Sequence, residues 1–269
     1  MRRGGACGII RRMKTVPLQE IVRALDEELR LAAFPNDPSN NGLQVEGAAD
    51  GVSKVCCGVD ATPALFAEAA RRGAQFCFVH HGISWGASLA RIAGPNYRLV
   101  APLVRSGIAL YAAHLPLDAH PTLGNNAGLA RAIGLGGLEP FAEWRGHLIG
   151  VKGAFPEPIP REELHRRVRE ACPDGRFEAV DAGAALVRTV GVVSGGAAED
   201  FPQAVAAGLD AYVTGELGLA DYNAVLNDPI DYVAAGHYAT ERVGPRAVAG
   251  WLAERFGVEA EFVDFRLRY

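Results

Sequence analysis

No apolar run in these 269 residues approaches the roughly 20 residues of a membrane span. The net charge is only −4, which removes the electrostatic case for nucleic acid or an anionic membrane as the main partner. Cysteine is scarce: Cys7, Cys56, Cys57, Cys77 and Cys172 are odd in number and contain no CxxC pair. That pattern excludes a disulfide frame and a Cys-type zinc site, and it reads as reduced thiols in a cytoplasmic protein. A phosphate-cradling P-loop is also missing, so a nucleotide would have to be held by other means. There are two methionines, and the second, Met13, stands directly before Lys14-Thr15-Val16-Pro17. The stretch Met1–Arg12 is basic and glycine-rich, without the apolar core or cleavage site of a secretory signal. Residues 1–13 are therefore read as a disordered or mis-called N-terminal extension.

What remains is ordinary globular material, 49% hydrophobic and 22% charged, long enough for one large domain or two modest ones. Pro17 to Arg30 reads as a helix, with Leu18, Ile21, Val22, Leu25 and Leu29 on one face. Turn formers from Phe34 to Gly42 end it. A short strand over Leu43–Glu46 and another over Lys54–Asp60 follow. Thr62-Pro63 caps a helix that runs to Arg72, and Gly73 closes it. The strand Gln75–Val79 then runs into His80-His81-Gly82. Tyr97 to Ser106 reads as a helix despite Pro102. Ile108–Ala113 reads as a strand ending in His114-Leu115-Pro116-Leu117-Asp118, and Asn125–Ile133 as a helix. Gly136 to Gly150 is loop-like, with a strand expected over Leu148–Phe155.

From there the chain begins again. Ile159-Pro160-Arg161-Glu162-Glu163-Leu164 echoes Val16-Pro17-Leu18-Gln19-Glu20-Ile21, and Thr189–Gly196 echoes the Val55–Asp60 strand and its turn. Phe201–Ala207 with Gly208 echoes Leu65–Arg72 with Gly73. Ala211–Glu216 stands where Phe78–Gly82 stood. Asp231–Glu241 matches Ala109–Asp118, so that His237-x-x-x-Glu241 answers His114-x-x-x-Asp118. Five elements in the same order imply internal duplication. The expected architecture is layered α/β: a first αβ repeat over 14–135, a connector over 136–158 and a second repeat over 159–269. Strand C-terminal ends are where α/β units place ligands, so a cleft between the halves is the expected site.

Adjacent side chains on a strand point to opposite faces, so His80 and His81 cannot easily grip one ion together, though they can serve two ions side by side. Taken alone, two histidines at a strand end are most simply a surface loop. With the two His-x-x-x-carboxylate pairs added, the set offers nitrogen and oxygen donors suited to Zn, Fe or Mn. A shared carboxylate can bridge two ions about 3.5–4 Å apart. Glu216 reads equally as a capping carboxylate and as a catalytic or supporting group. Ser194-Gly195-Gly196 could present backbone N–H groups to a phosphate, although a tight turn is the plainer reading. His120, His147 and His165 match no motif and read as surface or supporting groups.

The motifs Asn40-Asn41-Gly42-Leu43-Gln44-Val45, Gly58-Val59-Asp60, Val79-His80-His81-Gly82, His114–Asp118, Ser194-Gly195-Gly196, Thr214-Gly215-Glu216 and Gly236-His237-x-x-x-Glu241 run in one order across the chain after Met13. In this it resembles the Nif-three-like dinuclear metal-binding family, the GTP cyclohydrolase 1 type 2 homologs. The resemblance implies two intertwined αβ repeats with mixed sheets and a ring-shaped homohexamer. It also implies two divalent ions per subunit, on His80, His81, Asp118, His237 and Glu241, with His114 close by. The stretch between Gly134 and Pro160 is too short for the extra domain that some members carry. The activity expected is hydrolysis of a nucleotide-like small molecule by a metal-bridged hydroxide, with His114 or Glu216 passing a proton. A metal chaperone or insertase, or a regulatory scaffold with structural metal, would use the same ligands.

Overall fold

The computed structural model describes residues 15–47 and 51–267, and the Met1–Arg12 extension lies outside them. Helix α1 (Leu18–Glu28) starts after Pro17 and buries Leu18, Ile21, Val22 and Leu25 as its spacing predicts. Each such side chain removed from water contributes about 1.5–3 kcal/mol. Next come β1 (Gly42–Val45), β2 (Lys54–Asp60), α2 (Pro63–Arg72) and β3 (Phe76–His81). The Thr62 hydroxyl accepts from Leu65 N at the start of α2, and Gly73 ends the helix in the left-handed region at φ 71°. Helix α3 (Pro95–Ser106), β4 (Ala109–Ala112), the single turn α4 (Leu115–Asp118) and α5 (Asn125–Ala132) complete the first half.

The second half contains β5 (Gly136–Trp144), β6 (His147–Pro160), α6 (Arg161–Ala171), β7 (Glu178–Val180) and β8 (Leu186–Val192). Then follow α7 (Phe201–Ala206), β9 (Ala211–Thr214), α8 (Leu219–Val225), β10 (Asp231–Ala234), the single turn α9 (His237–Thr240), α10 (Val243–Phe256) and β11 (Glu259–Phe262).

Two mixed sheets result, ordered β1-β4-β3-β2-β11 and β5-β6-β8-β9-β10-β7. Each is built on three neighbouring parallel strands, β2-β3-β4 in one and β8-β9-β10 in the other. An antiparallel strand flanks the last of each triplet, β1 on β4 and β7 on β10. The duplication read from the sequence is thus visible strand by strand.

The halves exchange their ends. Ala127, Leu129, Ala130 and Ile133 of α5, a first-half helix, share a core with Val190, Val192 and Val213 of the second sheet. In return, Val248, Ala249, Leu252 and Phe256 of α10 pack with Phe76, Phe78 and Tyr111 of the first sheet, and β11 pairs with β2. This exchange ties the halves into one body and fixes the strand ends relative to each other.

The stretch over Gly136–Gly150, expected to be loop, is a hairpin arm: β5 pairs with β6 on the edge of the second sheet. Its sequence hides this because only Phe141 and Ala142 are fully buried, and Pro140 is tolerated on an edge where its missing N–H costs no ladder bond. The strand expected over Leu148–Phe155 is longer, His147–Pro160.

Candidate metal centre

The parallel triplets direct their C-terminal ends at one cleft, and six of the seven residues singled out in the sequence meet there. His80 and His81 end β3. His114 follows β4, and one turn later the α4 backbone presents Asp118, whose N–H donates to the His114 carbonyl. In the second half α9 repeats the device one residue later, because Gly236 rather than His237 stands in the place of His114, and it sets His237 Nε2 3.1 Å from Glu241 Oε1. The His-x-x-x-carboxylate pattern is therefore one helical turn placed after a parallel strand, which brings residues i and i+4 to the same side.

Each of the four imidazoles has its Nδ1–H committed to an acceptor. His80 donates to the Ala113 carbonyl at 2.9 Å, His81 to Asp60 Oδ1 at 2.8 Å, His114 to Asp37 Oδ1 at 2.8 Å and His237 to Glu216 Oε1 at 2.5 Å. That fixes the tautomer and leaves Nε2 as the free donor atom, the usual arrangement behind a metal-ligating histidine.

Glu241 stands at the centre, only 3% exposed. Its Oε1 lies 3.6 Å from His80 Nε2, and its Oε2 lies 3.5 Å from His81 Nε2. Asp118 Oδ2 lies 3.5 Å from His80 Nε2, while its Oδ1 accepts from Asn125 Nδ2 at 2.9 Å and from Ser194 Oγ at 3.4 Å. Two groups of donors are close enough to hold an ion: His80, His81 and His114, and His81, His237 and Glu241; the neighbouring histidines at the end of β3 thus come within reach of one ion, contrary to the expectation from strand alternation.

Whether the residues fit a metal is decided by two buried atoms. His80 Nε2 and Glu241 Oε2 are both shut away from solvent without a hydrogen-bond partner. A buried polar atom left so costs free energy, and a cation among them would satisfy both. The donor set fits.

Charge and burial act against each other here. Burial disfavours a charged His80, but the carboxylates of Asp118 and Glu241 outweigh it and push the ring up to about 10. His237 is similarly pushed up to about 9 by Glu241 and Glu216, against its own burial. Burial favours the neutral acid at Glu241, yet the surrounding imidazoles hold its carboxyl well below the usual range. In the metal-free protein, protons therefore take the place of the cation.

Glu216 is not among the residues that line this cleft. It stands behind His237 as the acceptor for Nδ1, beside a smaller cavity formed with Gly215, Gly218 and Arg176. The Ser194-Gly195-Gly196 turn spends its first two N–H groups inside the protein, Ser194 N on Asn126 Oδ1 and Gly195 N on Thr240 Oγ1. Gly195, at φ 69°, is glycine for a second reason: a Cβ there would collide with Glu241 Oε1. The turn is a close-approach device beside the ligands.

Asp37, Asp60, Asn125 and Gln44 were not assigned roles from the sequence. Asp37 sits in a run of turn formers and meets His114 across 77 positions, a contact no local pattern signals. Burial raises its pKa, but the bonds and charge of His114 prevail and lower it. Gln44 Oε1 accepts from Ile83 N and Ser84 N and pins the loop after His81. Outside the site, His120 accepts from the backbone of Thr122 and Leu123, His147 packs on Phe34, and His165 lies near Asp181.

The family model described as Duf34/NIF3 (NGG1p interacting factor 3) matches residues 16–267. A Deinococcus radiodurans protein named "GTP cyclohydrolase 1 type 2 homolog" is 40% identical over 247 residues, covering 91% of this chain and 92% of its own. A Pyrococcus horikoshii protein of the same name is 40% identical over 245 residues, covering 91% and 96%. The crystal structure of a Thermus thermophilus protein superposes with a TM-score of 0.84 at 39% identity, covering 93% of this chain and 98% of that one. With its two mixed sheets and its cluster of imidazoles and carboxylates between them, this chain belongs to the Duf34/NIF3 family.

Proposed function

We propose that the cleft holds two divalent metal ions and hydrolyses a nucleotide-like small molecule. The observation that carries this reading is the position of Glu241. One carboxylate, buried among three imidazoles, turns one oxygen toward His80 and His237 and the other toward His81. A carboxylate so shared is suited to bridge two ions. His80, His81, Asp118, His237 and Glu241 would hold them, with His114 as a sixth donor. Imidazole and carboxylate donors favour Zn, Fe or Mn. Such ions, when bound, supply Lewis-acid charge that lowers the pKa of water toward neutrality.

The protein's own groups then divide the work. Asp37, Asp60 and Glu216 keep the Nδ1 protons of His114, His81 and His237 in place, so each ring presents a lone pair to the cleft. Asn125 and Ser194 orient Asp118. His114 faces the cleft and is the group placed to ligate or to accept a proton, whereas Glu216 acts through His237. The name of the relatives points to guanine nucleotides and hydrolytic opening of the imidazole ring of guanine.

The test is turnover of GTP by the purified chain loaded with Mn or Zn, followed as loss of guanine absorbance. The wild type is expected to turn over and the double variant His80→Ala, His237→Ala to be inactive. Turnover that survives in the double variant contradicts the mechanism, and metal passed to an apo-acceptor without turnover favours metal handling.

We further read the chain as a cytoplasmic homohexamer. No helix among the described residues is long and apolar enough to cross a membrane. Support for the compartment comes from Cys56, Cys57, Cys77 and Cys172, all buried free thiols, with burial pushing Cys56 up to about 11. Leu219, Tyr222 and Leu226 are exposed on and just after α8, an apolar face consistent with subunit contacts. Light scattering should give six chains per particle.

A further inference from the structure

The cleft is a cavity of about 350 Å³ lined by most of the candidate metal ligands, and its wall also carries two tryptophans and a deeply buried acid that is not one of them. Trp85 stands with its ring centroid 5.0 Å from that of His114, and its indole N–H donates to the Gly82 carbonyl at 2.8 Å. Trp144, at the tip of the β5–β6 hairpin, has the Arg145 guanidinium 4.3 Å from its ring centroid. The acid is Asp200, in the turn before α7 and only 5% exposed.

These groups form a built site. Gln203 Nε2 donates to Asp200 Oδ1 at 2.8 Å and to the Glu143 carbonyl at 3.1 Å, and Gln203 Oε1 accepts from Glu143 N at 2.7 Å. One amide thus ties the acid to the hairpin residue next to Trp144. Asp200 Oδ2 receives no hydrogen bond from any described side chain. Unlike His80 Nε2 or Glu241 Oε2, this oxygen is not shut away from solvent, so it is open to a donor that enters the cavity.

We propose that this part of the cleft reads the base of a guanine-type ligand: Trp85 and Trp144 flank the planar ring, and Asp200 accepts hydrogen bonds from its edge. The inference rests on the reading above that the ligand is nucleotide-like. Indoles stack on any heterocycle through their faces, which gives affinity with little choice of base. The choice lies with Asp200. An ionised carboxylate is an acceptor only. Guanine presents two adjacent donors, the ring N1–H and the 2-amino group, whereas adenine presents a bare ring nitrogen beside its amino group and sets lone pair against lone pair. Glu199 lines the same wall, so the phosphates are directed away from it, toward the metal ligands. Burial and the Glu199 charge push Asp200 up to about 6, against the lowering bond from Gln203. The group is still mainly ionised at neutral pH.

The experiment titrates GMP and AMP separately into the Mn-loaded full chain and reads tryptophan emission. Trp251 lies on α10, against Phe256, and supplies a constant background. GMP should quench saturably and bind roughly tenfold or more tightly than AMP, the worth of a charge-assisted hydrogen bond. Asp200→Asn should reduce that preference to about twofold or less, by weakening GMP and relieving the lone-pair repulsion toward AMP, and Trp144→Leu should weaken both nucleotides together. Equal binding of GMP and AMP to the wild type, absence of saturable quenching, or a preference retained by Asp200→Asn would each overturn the proposal. The wild-type comparison decides alone should Asp200→Asn fail to fold. Selective GMP binding without GTP turnover would remove the hydrolase and keep this pocket. GTP turnover undiminished in a chain that binds GMP and AMP alike would do the reverse.

Discussion

In the first repeat the end of β3 supplies two imidazoles to the cleft, while in the second the equivalent end of β9 supplies a glycine and a carboxylate. The register makes the equivalence strict. Ala113 N donates to the Val79 carbonyl just as Ala235 N donates to that of Thr214, so His80 corresponds to Gly215 and His81 to Glu216. Gly215 has no room for a side chain, because a Cβ there would lie 2.8 Å from His237 Cα. Glu216 turns behind His237 and holds its Nδ1 proton. Duplication therefore produced a symmetric scaffold and an asymmetric site. One half brings His80, His81, His114 and Asp118, and the other gives up side chains so that His237 and Glu241 can reach between them.

The comparison breaks most completely at Glu241, whose two oxygens reach two first-half histidines, His80 and His81. Glu241→Ala should lower metal affinity by more than about a hundredfold and deplete both positions, measured as metal per chain after dialysis. Gly215→Ala would fill the gap that the asymmetry requires, with its Cβ 2.6 Å from the Gly195 carbonyl oxygen and close to His237. It should destabilise the fold by about 1–3 kcal/mol in denaturant titrations and reduce metal content as well. Removing the hydrogen-bond partners is a finer probe. Asp60→Asn and Glu216→Gln should each weaken metal binding by about 10–100-fold, with similar effects expected from the two halves because both act through an Nδ1–H.

The smallest effect is on the pH dependence of stability in the metal-free chain. His80 and His237 titrate above the ordinary value of about 6.5, at about 10 and about 9, so their protonated forms stabilise the fold. That contribution is complete below about pH 6.5 and lost as pH rises through 9 to 10. Glu241 is depressed, so its contribution is present above the usual carboxylate range and lost on acidification. Melting temperature of stripped protein should therefore fall from about pH 7 to about pH 10, while metal-loaded protein, in which the cation has replaced those protons, should fall less.

Much of this was legible in the sequence. The strand ends at His80-His81 and the two i, i+4 pairs could be read locally, because strand and helix periods decide where neighbouring side chains point. The order of the repeats followed from comparing the chain with itself. The partners of the Nδ1 protons were another matter. Asp37 reads as a turn residue, and Asp60 ends a strand whose pairing with β3 is a tertiary fact. The edge strand β5 was missed because one face is solvent and Pro140 interrupts its pattern. The exchange of α5 and α10 between sheets leaves no local mark, since the apolar residues a helix buries do not say which sheet it covers.

The central claim is that the two halves build one dinuclear centre around Glu241. Elemental analysis of the native full-length chain, paired with the Glu241→Ala variant, tests it most directly. Two divalent ions per chain in the wild type and near-complete loss of both in the variant is the predicted result. One ion or none in the wild type, or a variant that still retains two, would contradict it.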